Sequence, residues 1–306
     1  MINKNLEIGF VGLGAMGFGM ASNLLKKHGK LNIISNRNRK PVDDLVALGA
    51  QEFTSNAELA AASDIIILCL PNSDVVEKVV AEMRNTSVMG KILIDTGTSS
   101  LLSTERLAAD LVERGGLFAE APLTGGIVQA NAGELGAIVG ASREVFEQVK
   151  PILQTFCITV QHFGPVGSGA RAKFVNNYMV MGIAALVIEA FHIAGMTNTD
   201  WDKLYDVVIR GSADSGVFRR IVGNAKNDDF GGYVFSIDGA VKDMKYISEM
   251  NASLGRATPL NKAVLDFFIN AEEAGFGDRL MSELLRPEIR EKLFRPEFHD
   301  IDSPNP

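Results

Sequence analysis

Residues 8–25 read IGFVGLGAMGFGMASNLL. An apolar run comes first, then Gly12, Gly14 and Gly17 in the spacing G-x-G-x-x-G, then a stretch with helical periodicity. A lone glycine triplet at that spacing is a weak signal. Between a strand and a helix it is informative, because each glycine then has its own steric task. Gly12 permits the tight turn, Gly14 lets the backbone approach a pyrophosphate, and Gly17 lets the helix lie close to the strand. The turn residues Leu13, Ala15 and Met16 complete the loop, and the free amides and positive dipole end of the helix face the phosphates. The stretch predicts the first βα turn of a dinucleotide-binding sheet.

The rest of the first half agrees. Up to about residue 162, the runs LEIGFVG, LNIIS, DIIILCL, KILID, LFAEAP, LGAIVG and CITVQH alternate with helical stretches such as MASNLLKKH and DVVEKVVAEM. That alternation is the signature of βαβ units and a mostly parallel sheet, and the unbroken IIILCL suits a strand buried on both faces. Beyond FGPVGSG at 163–169 the strand-like runs nearly stop. The expected fold is an α/β Rossmann-type domain over 1–165, an all-helical domain over 166–290 joined to it by a long helix, and a charged tail over 291–306. Ala172 to Ala194 is apolar for most of its length and reads as a helix buried all round, between domains or at a subunit interface. Its longest apolar run, Tyr178 to Ile188, falls short of the ~20 residues that span a bilayer. Further helices are expected at 200–210, 237–254, 258–274 and 279–285.

Composition narrows the function. The 306 residues carry a net charge of -7 at pH 7 and are 46% hydrophobic. This acidic balance argues against nucleic acid or a membrane surface as partner. Cys69 and Cys157 lie in apolar stretches and are too few for a disulfide scaffold or a thiolate metal site, so buried free thiols, no metal and a cytoplasmic setting are expected. The N-terminus, MINKNLEIGF, lacks the pattern of a secretory signal.

Cofactor choice turns on the end of the second strand. A free ribose 2′-OH usually meets an acidic residue about 20 residues beyond the glycines. Here SNRNRK places Asn36 and Arg37 there, with Arg39 and Lys40 adjacent, a set that suits the 2′-phosphate of NADP over NAD, with NAD still possible. LCLPNSD and LIDTGTSS are further strand ends on the carboxyl edge, which makes Leu70, Pro71 and Thr98 candidate walls of the nicotinamide site.

A carbonyl that becomes an alcohol needs a proton as well as a hydride. The four histidines, His28, His162, His192 and His299, have no supporting constellation in the sequence. In GSGARAKFVNNYM, however, Lys173, Asn176 and Asn177 stand at i, i+3 and i+4 on one helical face inside an otherwise apolar stretch. Helix physics alone leaves Lys173 open between a solvated first-turn lysine and a proton donor. EAPLTGG at 120–126 offers the Thr124 hydroxyl and the amides of Gly125 and Gly126 as a nest for a small carboxylate, or a simple glycine turn.

Together, GLGAMGFGMASNLL, EAPLTGG, GPVGSGARAKFVNN and VKDMKY, in that order, resemble the β-hydroxyacid dehydrogenase family over nearly the whole chain. The resemblance implies a Rossmann domain and an all-helical domain with the active site in the cleft between them. It implies Lys173 as general acid in reduction and base in oxidation, Asn177 orienting the substrate with Asn176 beside it, and Thr124, Gly125 and Gly126 on the substrate carboxylate. Thr98 and Lys242 would contact the cofactor, while Phe235 and Asp243 would close the cleft. By spacing alone, KDMK reads as an exposed charge run. The chain departs from the family's usual pattern at Glu120, where Asp is commoner before Ala-Pro, at Thr124, where Ser is usual, and at Gly97. Asn36 and Arg37 resemble the NADPH-dependent reductases of the family. The expected activity is hydride transfer between NADP(H) and a small β-hydroxyacid, semialdehyde or keto acid, in a homodimer or homotetramer. An imine reductase shares this architecture but lacks the Lys-x-x-Asn-Asn arrangement. A non-catalytic NADP-binding protein would need a disabled donor or nest, and 6-phosphogluconate dehydrogenase needs a larger helical domain.

Overall fold

The computed structural model describes residues 3–34, 38–255 and 258–293. The chain divides into two compact units, Met1–Lys173 and the remainder from Phe174 onward. The division falls inside the long helix.

The first unit runs β1 (Ile8–Val11), α1 (Ala15–His28), β2 (Asn32–Ile34), α2 (Lys40–Ala47), β3 (Gln51–Phe53), α3 (Asn56–Ala61), β4 (Ile65–Leu68), α4 (Ser73–Glu82), β5 (Ile92–Asp95) and α5 (Leu101–Glu113). It continues with β6 (Leu117–Glu120), β7 (Leu123–Thr124), α6 (Ile127–Ala132), β8 (Leu135–Gly140), α7 (Arg143–Leu153) and β9 (Cys157–Gly164). The sheet order is β3-β2-β1-β4-β5-β6-β8-β7, with β9 on β8. From β3 to β6 every pairing is parallel; β8 runs antiparallel to β6 and β7 and parallel to β9. Chain order reverses between β1 and β4, the switch point at which open α/β sheets bind their ligands.

Period-2 alternation sorts the central strands onto two faces. Ile8, Phe10, Ile65, Ile67, Ile92 and Ile94 pack with α1 and α7 on one side. Val11, Ile66, Leu68 and Leu93 pack with α4 and α5 on the other. Two strands lay outside the sequence expectation. β3 is short and polar (QEF), and β7 has only two residues, so neither carries a detectable apolar alternation.

The second unit is helical. It comprises most of α8 (Ser168–Met196), then α9 (Trp201–Val208), α10 (Gly216–Ala225), α11 (Ile237–Ser253) and α12 (Pro259–Ala271). A π turn at Glu272–Phe276, a 3-10 turn at Met281–Leu285 and α13 (Pro287–Leu293) follow. The expected helix at 258–274 ends early because Gly275 turns left-handed (φ 87°) within the π turn. Helix α10 lay outside the sequence expectation, although Val217, Phe218, Ile221, Val222 and Ala225 recur at helical spacing behind a Ser215 cap. Of the expected tail, 291–293 belong to α13 and 294–306 lie outside the described residues.

Two expectations for the long helix need correction. It is not buried all round: Val175, Met179, Leu186 and Ile193 are each at least half exposed. Nor does length exclude a bilayer, since the helix has 29 residues and a mean hydropathy of 1.9 over 18 of them, 39% of that window being buried. The apolar run Tyr178–Ile188 covers only part of the helix, which begins ten residues earlier at Ser168.

Candidate active site

The dinucleotide turn is fixed by backbone sterics. Gly12 sits at φ 103°, and a Cβ there would overlap the Cys69 carbonyl oxygen at the end of β4. A Cβ on Gly17 would overlap the Gly12 carbonyl oxygen, so the helix lies on the strand only because Gly17 has no side chain. Gly14 differs: a Cβ would meet nothing within 4 Å among the described residues. It is the N-cap of α1, no side chain caps that helix, and no acid stands in its first turn. Gly14 and Ala15 are exposed, Met16 is half-buried and Leu13 lines the interior. Among the described residues this helix N-terminus has no side-chain acceptor of its own, which fits a pyrophosphate and is the cradle the sequence predicts. Gly19, beyond the motif, is also required. Its Cβ would fall 2.5 Å from Asn131 Oδ1 where α1 meets α6.

The neighbouring strand ends complete this edge. The Leu70 side chain and carbonyl lie against Gly12 and Gly97 respectively. Pro71 is exposed beside it and Thr98 is half-buried. The loop after β5 is held by Asp95, which is 2% exposed; its carboxylate accepts from the Gly97 amide at 2.9 Å and the Ser99 hydroxyl at 2.6 Å. Asp95 was not among the expected site residues, although an Asp opening a turn of small residues is a local signal for such a bond. Asn36 and Arg37 lie outside the described residues. Arg39 and Lys40 are described, and their charge is compensated: Arg39 pairs with Glu52 and Asp43, and Lys40 with Asp44. They add less positive charge to the cofactor edge than the sequence suggests.

The substrate segment follows β6. Thr124 pairs with Gly136 across β7 and β8, and a Cβ on Gly136 would overlap the Thr124 hydroxyl. Gly125 is left-handed (φ 103°) and exposed. The Gly126 amide is not free, as expected from the sequence, but donates to Gln129 Oε1 at 2.9 Å. A glutamine at the third position of α6 reaches back to the N-cap amide, the reciprocal half of a capping box.

Lys173 lies 5 residues into α8, on the sheet-bearing unit. It is 8% exposed, and its Nζ donates to the Leu123 carbonyl at 2.6 Å. The surface-lysine alternative fails on this burial. One turn later Asn177 is buried, and its Nδ2 donates to Asp243 Oδ2 at 2.6 Å. Asn176, half-buried, donates to Asn177 Oδ1 at 3.0 Å. Asp243 is 1% exposed and lies 3.0 Å from Lys242 Nζ, and Lys242 in turn sits over the Tyr246 ring. The KDMK stretch is therefore not an exposed charge run, because helix α11 turns Asp243 and Met244 inward. Phe235 packs against Gly239, and its carbonyl accepts from the Met281 amide at 2.9 Å.

Glu120, noted in the sequence only as a departure from Asp, is 2% exposed at the end of β6. Its Oε1 accepts from the amides of Gly167 at 2.6 Å and Gly169 at 3.0 Å, the residues that open α8. Its Oε2 is buried with no hydrogen-bond partner among the described residues. Burial pushes its carboxyl up to about 7 against the opposing pull of those amides. Burial likewise pushes the Cys69 and Cys157 thiols up to about 11 and about 12, leaving them protonated. Among the other titratable groups, His28 and His162 bond to the carbonyls of Leu6 and Ala141, and burial drives His192 down to about 4.

Residues 7–164 match the model of the NAD binding domain of 6-phosphogluconate dehydrogenase. Residues 167–287 match the NAD-binding domain of NADP-dependent 3-hydroxyisobutyrate dehydrogenase. The chain belongs to the β-hydroxyacid dehydrogenase family. Similar relatives include 2-(hydroxymethyl)glutarate dehydrogenase of Eubacterium barkeri, 31% identical over 93% of this chain and 95% of that protein. They also include 3-sulfolactaldehyde reductase of Escherichia coli, 31% identical over 91% and 94% respectively. The crystal structure of 3-hydroxyisobutyrate dehydrogenase from Salmonella typhimurium superposes with a TM-score of 0.82 at 25% identity, over 92% of this chain and 99% of that one. As a β-hydroxyacid dehydrogenase the protein is an oxidoreductase that binds a nicotinamide cofactor and transfers hydride.

Proposed function

We propose that this β-hydroxyacid dehydrogenase works as an NADP(H)-linked reductase of a short carboxylic acid bearing an aldehyde or ketone, with Lys173 as its proton donor. The observation that carries the proposal is the buried ammonium of Lys173, held by the Leu123 carbonyl one residue before Thr124. A lysine kept from water and tied to the segment that offers a hydroxyl and a glycine turn is positioned to protonate one substrate atom rather than to be solvated.

Gly12, Gly14 and Gly17 with the open start of α1 would hold the pyrophosphate, and Leu70, Pro71 and Thr98 would flank the nicotinamide. Arg37, with Asn36, is the residue proposed to favour the 2′-phosphate; the pairing of Arg39 and Lys40 with acids leaves that role to it. The bound cofactor supplies the hydride. Thr124 and the Gly125 amide receive the substrate carboxylate, and Gly126 joins them once Gln129 releases its amide. Lys173 gives a proton to the carbonyl oxygen as the carbon is reduced, and in the oxidative direction its neutral amine takes the proton from the alcohol. Asn177, oriented by Asp243, hydrogen-bonds the same oxygen. The exposed apolar residues of α8 support self-association as a dimer or tetramer, which sedimentation of the purified protein tests.

A panel of short semialdehydes and keto acids with NADPH and NADH tests the proposal directly. NADPH consumption with at least one of them is expected, with a lower KM than for NADH. Turnover of a cyclic imine without turnover of any aldehyde acid would overturn it.

A further inference from the structure

The glycine pair of GPVGSGARAK has a structural task the proposed chemistry does not use. A Cβ on Gly169 would fall 2.6 Å from the Gly140 amide nitrogen and 2.7 Å from the Ile138 carbonyl oxygen, so the first turn of α8 lies directly on the backbone of β8. A Cβ on Gly140 would overlap Glu120 Oε1. The Glu120 carboxyl is thus wedged where β6, β8 and the start of α8 converge, and Glu120 and Gly140 are themselves cross-strand partners. One of its oxygens accepts from both Gly167 and Gly169, two amides that a helix start leaves without partners of its own.

From this geometry we infer that Glu120 is a positioning residue: it pins the start of α8 to the end of β6 and so sets where Lys173 stands over the 123–126 segment. The inference rests on Lys173 being the proton donor. The helix is tied to one short stretch of chain twice, at its start through Glu120 and at the lysine amine through Leu123, three residues later. The two together set where the amine stands relative to the Thr124 hydroxyl that receives the substrate carboxylate, and so how far it lies from the carbonyl oxygen it protonates. Glu120 does this without touching the reacting atoms, because its remaining oxygen is buried in protein.

Glu120→Met keeps the length and removes the acceptor; Glu120→Gln keeps an acceptor oxygen for both amides. Relative to the parent, Glu120→Met is expected to lose at least tenfold in kcat, with KM for the aldehyde acid within about threefold and NADPH affinity within about twofold. Glu120→Gln should restore kcat to within about threefold. Amide hydrogen exchange over 167–173, read without any substrate, should accelerate in Glu120→Met and stay parental in Glu120→Gln. If Glu120→Met does not fold, Glu120→Leu, which also removes the acceptor, is expected to give the same split in kcat and exchange. Parental kcat and exchange in the variant lacking the acceptor overturn the inference. So does a Glu120→Gln enzyme as impaired as Glu120→Met, or a loss confined to NADPH affinity. Lys173→Ala run in parallel separates the two levels. Full activity there overturns the role of the lysine, whereas an inactive Lys173→Ala beside a fully active Glu120→Met overturns only the positioning.

Discussion

Two junctions in this protein are built alike and used in opposite ways. At β1–α1 and again at β9–α8, a strand runs through glycines into a helix, and in each a glycine lets the helix lie against backbone: Gly17 on Gly12, Gly169 on Gly140. At the first, the helix start is open among the described residues, with no side-chain cap, no acid in the first turn and nothing within 4 Å of where a Gly14 side chain would begin. At the second, a buried carboxylate from another strand fills the helix start. An unsatisfied helix N-terminus favours an acceptor in either case. Whether that acceptor is a ligand or part of the protein separates a binding site from an anchor.

The largest expected effect falls on the lysine that the anchored junction carries. Lys173→Ala should lower kcat by about 10²–10⁴-fold while NADPH still binds, as measured by steady-state turnover beside fluorescence titration. Equal losses in both would mean the anchored helix serves the cofactor, and the contrast between junctions would collapse.

The anchor itself is expected to titrate. Because the native carboxyl of Glu120 is pushed up to about 7 from 4.5, the folded state holds a proton that the unfolded state has released between those values. The resulting stabilisation is fully present below about pH 4.5 and is lost as pH rises through about 7, amounting to about 3 kcal/mol. Denaturant unfolding at pH 5 and pH 8 should show this difference in the parent and a correspondingly smaller one in Glu120→Gln. An identical pH dependence in the two proteins would mean the carboxyl is not buried as described.

At the open junction, two glycines separate fold from ligand. Gly17→Ala places a methyl onto backbone and should cost about 1–3 kcal/mol in unfolding free energy. Gly14→Ala meets no chain atoms, so its melting temperature should be parental while NADPH binding weakens about tenfold, about 1.4 kcal/mol. A melting temperature lowered by Gly14→Ala would show that the junction is closed by protein after all.

The smallest effect concerns the basic run beside the cofactor edge. Arg39 pairs with Glu52 and Asp43 at the surface, where water screens such pairs and leaves them weak. Arg39→Ala should leave the ratio of NADPH to NADH efficiencies within about twofold, whereas Arg37→Ala should reduce it by about tenfold or more. A large effect at Arg39 would mean that its acidic partners release it to the 2′-phosphate.

Much of this was legible in the sequence where the determinant is local. The β1 turn, the succession of βαβ units and the boundaries of α11 follow from glycine sterics, period-2 and period-3.6 patterns and a serine cap at Ser236. The candidate chemistry at Lys173 was legible as a residue and not as a state. Helical spacing puts Lys173, Asn176 and Asn177 on one face, but only the fold buries Lys173 and gives Asn177 its Asp243, 66 residues away. The occupied Gly126 amide escaped notice because a glutamine three residues on looks like any other polar helix residue until its side chain is seen to fold back. Asp95, Glu120 and the exposed stripe of α8 escaped for the same reason, as burial is a property of what surrounds a residue.

By itself the sequence determined the succession of most strands and helices, the strand-turn-helix that cradles a dinucleotide and the presence of a lysine in an apolar helix, because these depend on sterics and periodicity within a few neighbouring residues. The tertiary structure alone decided that Glu120 meets Gly167 and Gly169, that Leu123 receives the lysine, and that Arg39 and Lys40 are already paired. Those are contacts between chain segments whose separation in sequence leaves no local pattern, and their energies arise from desolvation and hydrogen bonding that exist only once the chain has closed around them.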